Sequence, residues 1–322
     1  MALSIEEKYK KLSHREHIYE LPDTYIGSIE KNEESSWIYN PETKKMSKKS
    51  ILMCPGLYKI FDEIVVNAYD QYIRLIQKAQ KEHNPNANFV KNIKFNINQQ
   101  TGSLSIYNDG EGIDVVLHPV YNIYIPTLIF GQLLTSTNYH SSNKKDNESS
   151  KTKEEKITGG KNGYGAKLTA IFSLEFTIET VDAQRQLKFI QTFYNNMKEK
   201  TEPIIQNYSG KPYTQISFTP EYGKFNLPGL DDDIYNLFQK RAYDLSACTD
   251  LTVSVTLNQE KIACKSFEKY VELYLETDTN YVYEKINERW EIAVTLNPSD
   301  NFQQISFVNG IFTSKGGKHV DY

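Results

Sequence analysis

One stretch sets the rhythm of the chain. Leu57, Ile60, Phe61, Ile64, Val65, Ala68, Tyr72, Leu75 and Ala79 recur at three- and four-residue spacing. That period predicts a helix from Leu57 to about Gln80 with one apolar stripe. Pro55-Gly56 interrupt the chain before it, and His83-Asn84-Pro85 end it. Glu63, Asn67, Asp70 and Arg74 form a second stripe away from the first. Glu63 and Asn67 are four apart and so are neighbours on one face. A carboxylate beside a carboxamide positions a water and completes the shell of a hard cation. A solvated helix face is the simpler reading of such a stripe, and glycine-rich segments further along decide between the two.

Elsewhere the period falls to two. Ile93, Phe95 and Ile97 alternate, Gln99-Gln100-Thr101-Gly102 turn, and Leu104 and Ile106 alternate again, which predicts a strand pair. Strand parity puts Asn108 on the face of Leu104 and Ile106 and turns Asp109 away. Asn108 opens Asn108-Asp109-Gly110-Glu111-Gly112, whose glycines let the backbone approach a partner closely. An Asn ending a buried strand face is placed to read one edge of a base; a plain Asn-Asp-Gly turn is the competing reading. Further strands are predicted at 176–181, 187–194, 214–219, 251–257, 291–296 and 305–308. Asp231 caps a predicted helix with Ile234, Leu237, Phe238, Ala242 and Leu245 on one face, and 267–275 reads as another. Residues 1–20 read as an arm or short helix, 21–28 as a loop punctuated by Pro and Gly, and Lys44–Lys49 as a solvated turn between strands. There is no internal repeat.

The candidate chemistry follows the second glycine-rich region. Hydroxyls at Thr135, Ser136 and Thr137, with Asn138, are suited to line a ribose or phosphate pocket. Residues 141–156 hold almost no apolar side chain, so they are expected to stay mobile, as a lid would. Thr158-Gly159-Gly160-Lys161-Asn162-Gly163-Tyr164-Gly165-Ala166-Lys167 then leads into a helical run to Phe172. Free backbone N–H groups at a helix start favour an anion, and Lys161 and Lys167 add charge. The cluster does not follow a strand as a dinucleotide fingerprint does, and it lacks the Gly-Lys-Ser/Thr ending of a P-loop.

Composition adds bounds. With 322 residues, of which 39% are hydrophobic, the chain is long enough for two domains. A net charge of −4 gives no global drive toward nucleic acid, so any DNA contact needs a local patch. The three cysteines have no metal-like spacing and read as reduced thiols in a nuclear or cytosolic compartment. No run approaches membrane-spanning length, and the N-terminus has no signal-peptide pattern.

Lys59–Asp70, Phe130–Asn138, Gly159–Lys167 and Ile305–Tyr322, with Leu21–Ser28, closely resemble the ATPase region of eukaryotic-type type II DNA topoisomerases. The match runs in order from about Tyr9 to Tyr322. The resemblance implies an α+β fold of the GHKL type: a two-layer sandwich with a mixed, mostly antiparallel sheet under helices, followed by a truncated transducer domain. It implies a strap at 1–28, an ATPase domain at 29–240 with a lid at about 139–167, and the front of the transducer at 241–322. It also implies ATP and Mg²⁺ as cofactors, closure of the site by homodimerisation, and double-stranded DNA as the captured partner.

Carried over by position, Glu63 resembles the general base and Asn67 the Mg²⁺ ligand, with Lys59 placed to orient the base and Asp70 a cofactor-binding residue beside them. Asn108 resembles the adenine reader, at a position where much of the superfamily has Asp. Thr135, Ser136, Thr137 and Asn138 resemble the ribose and phosphate contacts. Gly160, Lys161, Asn162, Gly163, Tyr164, Gly165, Ala166 and Lys167 resemble the phosphate-cradling lid. Thr214 resembles a pocket-floor residue and Tyr9 a strap residue reaching the partner's nucleotide. The segment between Asn138 and Thr158 is longer and more charged than the family pattern. The transducer lysine and the DNA-cleaving tyrosine are expected beyond Tyr322, so the chain reads as the front part of a longer polypeptide that binds ATP and does not itself cut DNA. The compartment implied is the nucleus, or a cytoplasmic factory if the source is a large DNA virus. The alternative is a chaperone- or MutL-like clamp with the same pocket; a scaffold that binds ATP without turnover is disfavoured by Glu63 and Asn67.

Overall fold

A computed structural model describes residues 11–84, 87–133, 158–160, 163–297 and 301–321 of the chain. Helix α1 (His14–Glu20) opens with a reciprocal cap: the Ser13 hydroxyl accepts from Glu16 N–H while the Glu16 carboxylate accepts from Ser13 N–H. Strands β1 (Asn32–Asn40) and β2 (Lys45–Met53) then pair as an antiparallel hairpin. Most of the Lys44–Lys49 cluster therefore lies in a strand, not in a turn; Lys44, at positive φ, is the turn residue. Remote contacts hold this polar hairpin. Tyr39 stacks on Tyr243 at 4.5 Å and Lys49 Nζ lies 2.6 Å from Asp233.

The long helix α2 spans Pro55–Lys81. It starts at Pro55 because the first helical turn has no use for the missing N–H. All nine residues of the apolar stripe are buried. Along the polar stripe Glu63 and Asn67 are half-buried and Asp70 is buried, while Arg74 is exposed.

Nine strands among the described residues build one sheet. They are β3 (Asn92–Ile97), β4 (Leu104–Asp109), β5 (Ser173–Asp182), β6 (Leu187–Tyr194), β7 (Glu199–Lys200), β8 (Ile204–Asn207), β9 (Tyr213–Pro220), β10 (Ser254–Leu257) and β11 (Glu260–Lys261). The order is β11-β10-β3-β4-β9-β5-β6-β7, with β8 also on β6. Only the β10–β3 pairing is parallel, so the sheet is mixed and mostly antiparallel. Alternation along β3 and β4 buries one face of the sheet. The helices packed there include α2, α4 (Gly165–Ile171) and α5 (Asp232–Cys248), while α3 (Ile125–Gly131) sits beside α4. Phe61 of α2 stacks on Phe238 of α5 at 4.0 Å in the centre of this layer.

Asp231 caps α5, its side chain accepting from Ile234 N–H at 2.8 Å. The helix runs unbroken across position 240, where the sequence suggested a division, and β10 and β11 beyond it extend the main sheet. Phe238, Ala242 and Leu245 keep this stretch in the first core. After it come α6 (Phe267–Val271), shorter than expected, the hairpin of β12 (Tyr281–Asn287) and β13 (Trp290–Thr295), the short hairpin of β14 (Phe307–Val308) and β15 (Ile311–Phe312), and α7 (Lys318–Asp321). Asn309 and Gly310, both at positive φ, make the two-residue turn of the short hairpin. No helix among the described residues is long and apolar enough to cross a membrane.

The inward face of α5 carries charge. Arg241 is fully buried; its Nε donates to Asp62 Oδ1 at 2.6 Å and its Nη2 to Gly310 O at 2.8 Å. Lys240 Nζ bonds Asp244 at 2.8 Å and lies 4.2 Å from the Phe312 ring centroid. α5 thus ties the short hairpin to α2.

Candidate functional site

The glycine cluster folds back onto the polar stripe of α2. Gly165, the first residue of α4, rests on Glu63, and a Cβ there would overlap Glu63 Oε2. Glu63 also forms an ion pair with Lys59, one turn earlier. One turn later, Asn67 is half-buried, and among the described residues its carboxamide has no hydrogen-bond partner. Asp70 accepts from Gly159 N–H and Gly160 N–H, each at 2.8 Å. Two side chains of one helix, Glu63 and Asp70, therefore meet a loop about 90 to 100 residues away in sequence. Thr169 fixes the approach, its Oγ1 donating to Ile60 O at 2.7 Å.

Asn108 is the penultimate residue of β4. It is buried, and its Nδ2 donates to Asp109 O at 3.0 Å. Asp109 points away, as parity requires, and accepts from Lys91 N–H and Asn92 N–H at 2.7 and 2.8 Å. Across the sheet Asn108 pairs with Thr214 of β9, and Thr214 with Thr180 of β5. The two threonine hydroxyls lie 2.9 Å apart, and Thr180 Oγ1 also accepts from Ile113 N–H at 3.1 Å. Asp182, two residues on, takes Val115 N–H at 2.8 Å and a guanidinium N–H of Arg185. Burial pushes its carboxyl up, but these donors outweigh burial and hold it below the usual carboxylate range. Thr180 and Asp182 were not singled out from sequence. The available signal was that polar residues take over the inward positions at the end of the Phe176, Ile178 alternation.

Gly112 is required by its surroundings. Its φ is +68° and a Cβ would collide with Val181 O. Gly112→Ala is expected to cost about 3 kcal/mol or more, read as a lowered urea midpoint in equilibrium unfolding.

Lys167 is buried on α4, and its Nζ donates to Gly163 O at 2.7 Å. Burial pulls its ammonium down to about 8. Gly160, Gly163, Tyr164 and Ala166 lie in or beside the same cluster, and the His14 ring of α1 meets the Tyr164 ring edge-on at 6.0 Å. Tyr9, Thr135, Ser136, Thr137, Asn138, Lys161 and Asn162 lie outside the described residues.

Known proteins resemble this chain in sequence and in fold. The chain is 45% identical over 327 residues to DNA topoisomerase 2 of Acanthamoeba polyphaga mimivirus, an alignment covering 99% of the chain and 24% of that protein. It superposes on the crystal structure of the ATPase region of Saccharomyces cerevisiae topoisomerase II with a TM-score of 0.85 at 42% identity, covering 99% of this chain and 78% of that one. The chain belongs to the type II DNA topoisomerase family. The ATPase and transducer domains of DNA topoisomerase II from Balamuthia mandrillaris also match, at a TM-score of 0.85 and 40% identity, with 99% of this chain and 76% of that one covered. No family model matches the chain. It spans 18–26% of the length of related curated topoisomerases, and the solved structures it superposes on are of their ATPase region. The mixed α/β architecture of that topoisomerase region, a mixed sheet under helices, is the architecture found here.

Proposed function

We propose that the chain is the ATP-binding and ATP-hydrolysing entry gate of a type II DNA topoisomerase. The observation that carries this reading is the seating of the glycine cluster on Glu63 and Asp70 of α2. It brings the start of α4 against the Glu63 carboxylate and the Gly159–Gly160 backbone against Asp70, on the face of α2 that also carries Asn67. In this reading Asn108 and Thr214 hold the base, and the loop from Gly160 to Lys167 cradles the phosphates. Thr135, Ser136, Thr137 and Asn138 add ribose and phosphate contacts. Glu63 takes a proton from the water that attacks the terminal phosphate, and Lys59 orients the Glu63 carboxylate through their ion pair.

Mg²⁺ fits the donor set. It keeps several waters and takes few protein ligands beside nucleotide phosphates, and Asn67 offers one unengaged oxygen on the same face as Glu63. No group of three or more His, Cys, Asp or Glu gathers into a metal cluster among the described residues, and this role needs none. When bound, the ion neutralises charge on the phosphates. Asn67→Ala is expected to weaken binding of a non-hydrolysable ATP analogue about tenfold in Mg²⁺ and far less in EDTA. Equal affinities for parent and variant in Mg²⁺ would reject Asn67 as the ligand.

Lys167 gives a pH dependence. Phosphate favours its ammonium form, whereas burial brings Lys167 down to about 8. Affinity for the triphosphate is therefore full below that pH and falls above it, by about tenfold between pH 7 and 9. Lys167→Met is expected to bind more weakly at pH 7 and to lose that slope, as measured by calorimetric titration across the range.

Nucleotide that binds a closed homodimer better than an open monomer drives closure, and in the whole protein closure captures a DNA duplex. Tyr9 reaches the partner's nucleotide in this scheme, and the compartment is the nucleus or a viral factory. The test is the mass of the purified chain in solution. The analogue with Mg²⁺ is expected to convert monomer to dimer. A chain that binds the analogue yet stays monomeric at every concentration would contradict the gate.

A further inference from the structure

Gly159 and Gly160 are gripped from three sides. Asp70 presents one carboxylate oxygen to each of their N–H groups at 2.8 Å, and such charge-assisted bonds are roughly twice as strong as neutral ones. A methyl at Gly159 would sit 2.8 Å from Ile311 Cδ1 and 2.9 Å from Val66 Cγ1. The slot thus has two walls from α2 and a third from β15. The hairpin carrying that third wall is itself pinned. A Cβ at Gly310 would lie 2.6 Å from the Tyr69 ring. Gly310 O accepts from buried Arg241, whose Nε holds Asp62, the residue before Glu63.

We propose that Asp70 and Ile311 are positioning residues that together fix the Gly159–Gly160 step of the glycine loop. The loop's seating on terminal phosphates then depends on the hairpin at 307–312. The proposal rests on the ATP-site reading above and refines it: Asp70 acts on the loop backbone and not on the nucleotide. Both bonds lie within the chain itself, so in this proposal the clamp orders the loop base whether or not nucleotide is bound. A shift of the hairpin away from α2 opens one wall of the slot and loosens the loop, so the hairpin reports to the site through Ile311.

Two readouts test this on the full chain. The first is amide exchange of the peptide containing Gly159 and Gly160 in nucleotide-free protein. Asp70→Asn keeps the shape but offers one acceptor where two are needed, so exchange is expected to rise about tenfold. Ile311→Ala should raise it severalfold, and Ile311→Val, which keeps most of the wall, should stay near the parent. The second readout compares a non-hydrolysable ATP analogue with ADP. Asp70→Asn and Ile311→Ala should each weaken the analogue about tenfold while changing ADP by less than about twofold, because only the triphosphate presses on the whole loop. Unchanged exchange in Asp70→Asn would overturn the clamp. Equal losses for both nucleotides in Asp70→Asn would overturn it too, since a direct contact of Asp70 with the nucleotide gives that result, as would Ile311→Ala leaving the ratio untouched. A parent chain that binds neither nucleotide contradicts the ATP-site reading, and the exchange measurement still decides the clamp.

Discussion

Glu63→Gln is expected to lower ATP turnover by about 10² to 10⁴-fold, the range for loss of a general base, while affinity for a non-hydrolysable ATP analogue stays within about threefold. The amide is nearly isosteric with the carboxylate, so the contact with Gly165 is kept and the loop still seats. What is lost is the proton acceptor. Glutamine also removes the ion pair with Lys59, so a second variant is needed to separate the two roles. Lys59→Met leaves the acceptor and removes its orienting partner, so turnover should fall less, by about tenfold. The pair is partly solvent-exposed, and its worth lies in placement of the carboxylate more than in stability. Measured kcat and KM for the three proteins check this. Full turnover in Glu63→Gln would show that another group accepts the proton.

The largest stability effect is expected at Arg241. Its guanidinium is fully buried between α2, α5 and the short hairpin, and Asp62 faces it at 2.6 Å. Burial alone would lower its pKa, but the nearby Asp62 charge outweighs burial and raises it. Nη1 has no partner among the described residues, so the site is already less than fully satisfied. Arg241→Ala leaves Asp62 charged in an apolar layer and Gly310 O without its donor, and is expected to cost about 3–5 kcal/mol. The double variant Arg241→Met/Asp62→Leu removes both charges and should recover more than half of that loss. Urea unfolding with a common slope reads both values. An Arg241→Ala loss under about 1 kcal/mol would show that water reaches the pair.

Strong periodicity made the central layer legible from sequence. Every residue of the α2 stripe is buried, and the two-residue period put Asn108 inward and Asp109 outward. Asp231 at its cap was equally local. What escaped depends on partners far away in the chain. The β1–β2 hairpin reads as polar because few of its side chains are buried, and it is held through Tyr243 and Asp233. The charges at 240, 241 and 244 also turn inward, Lys240 to Asp244 within α5 and Arg241 to Asp62 of α2, and periodicity alone does not show such pairings. Thr180 and Asp182 are common residue types whose roles appear only when β4, β5 and β9 lie side by side. Asp70 was legible as part of the polar stripe, but its engagement with Gly159 and Gly160 was not, because a stripe shows which side chains share a face and not which backbone comes to meet them.

The central claim is that one Mg²⁺-dependent ATP site is built where the glycine cluster meets α2. Calorimetric titration of the purified chain with a non-hydrolysable ATP analogue, with Mg²⁺ and with EDTA, tests it directly. One site per chain is expected, bound at least tenfold more tightly with the metal and weakened in Asn67→Ala. No binding in either condition, or binding of equal strength with and without the metal and unaffected by that substitution, would contradict it.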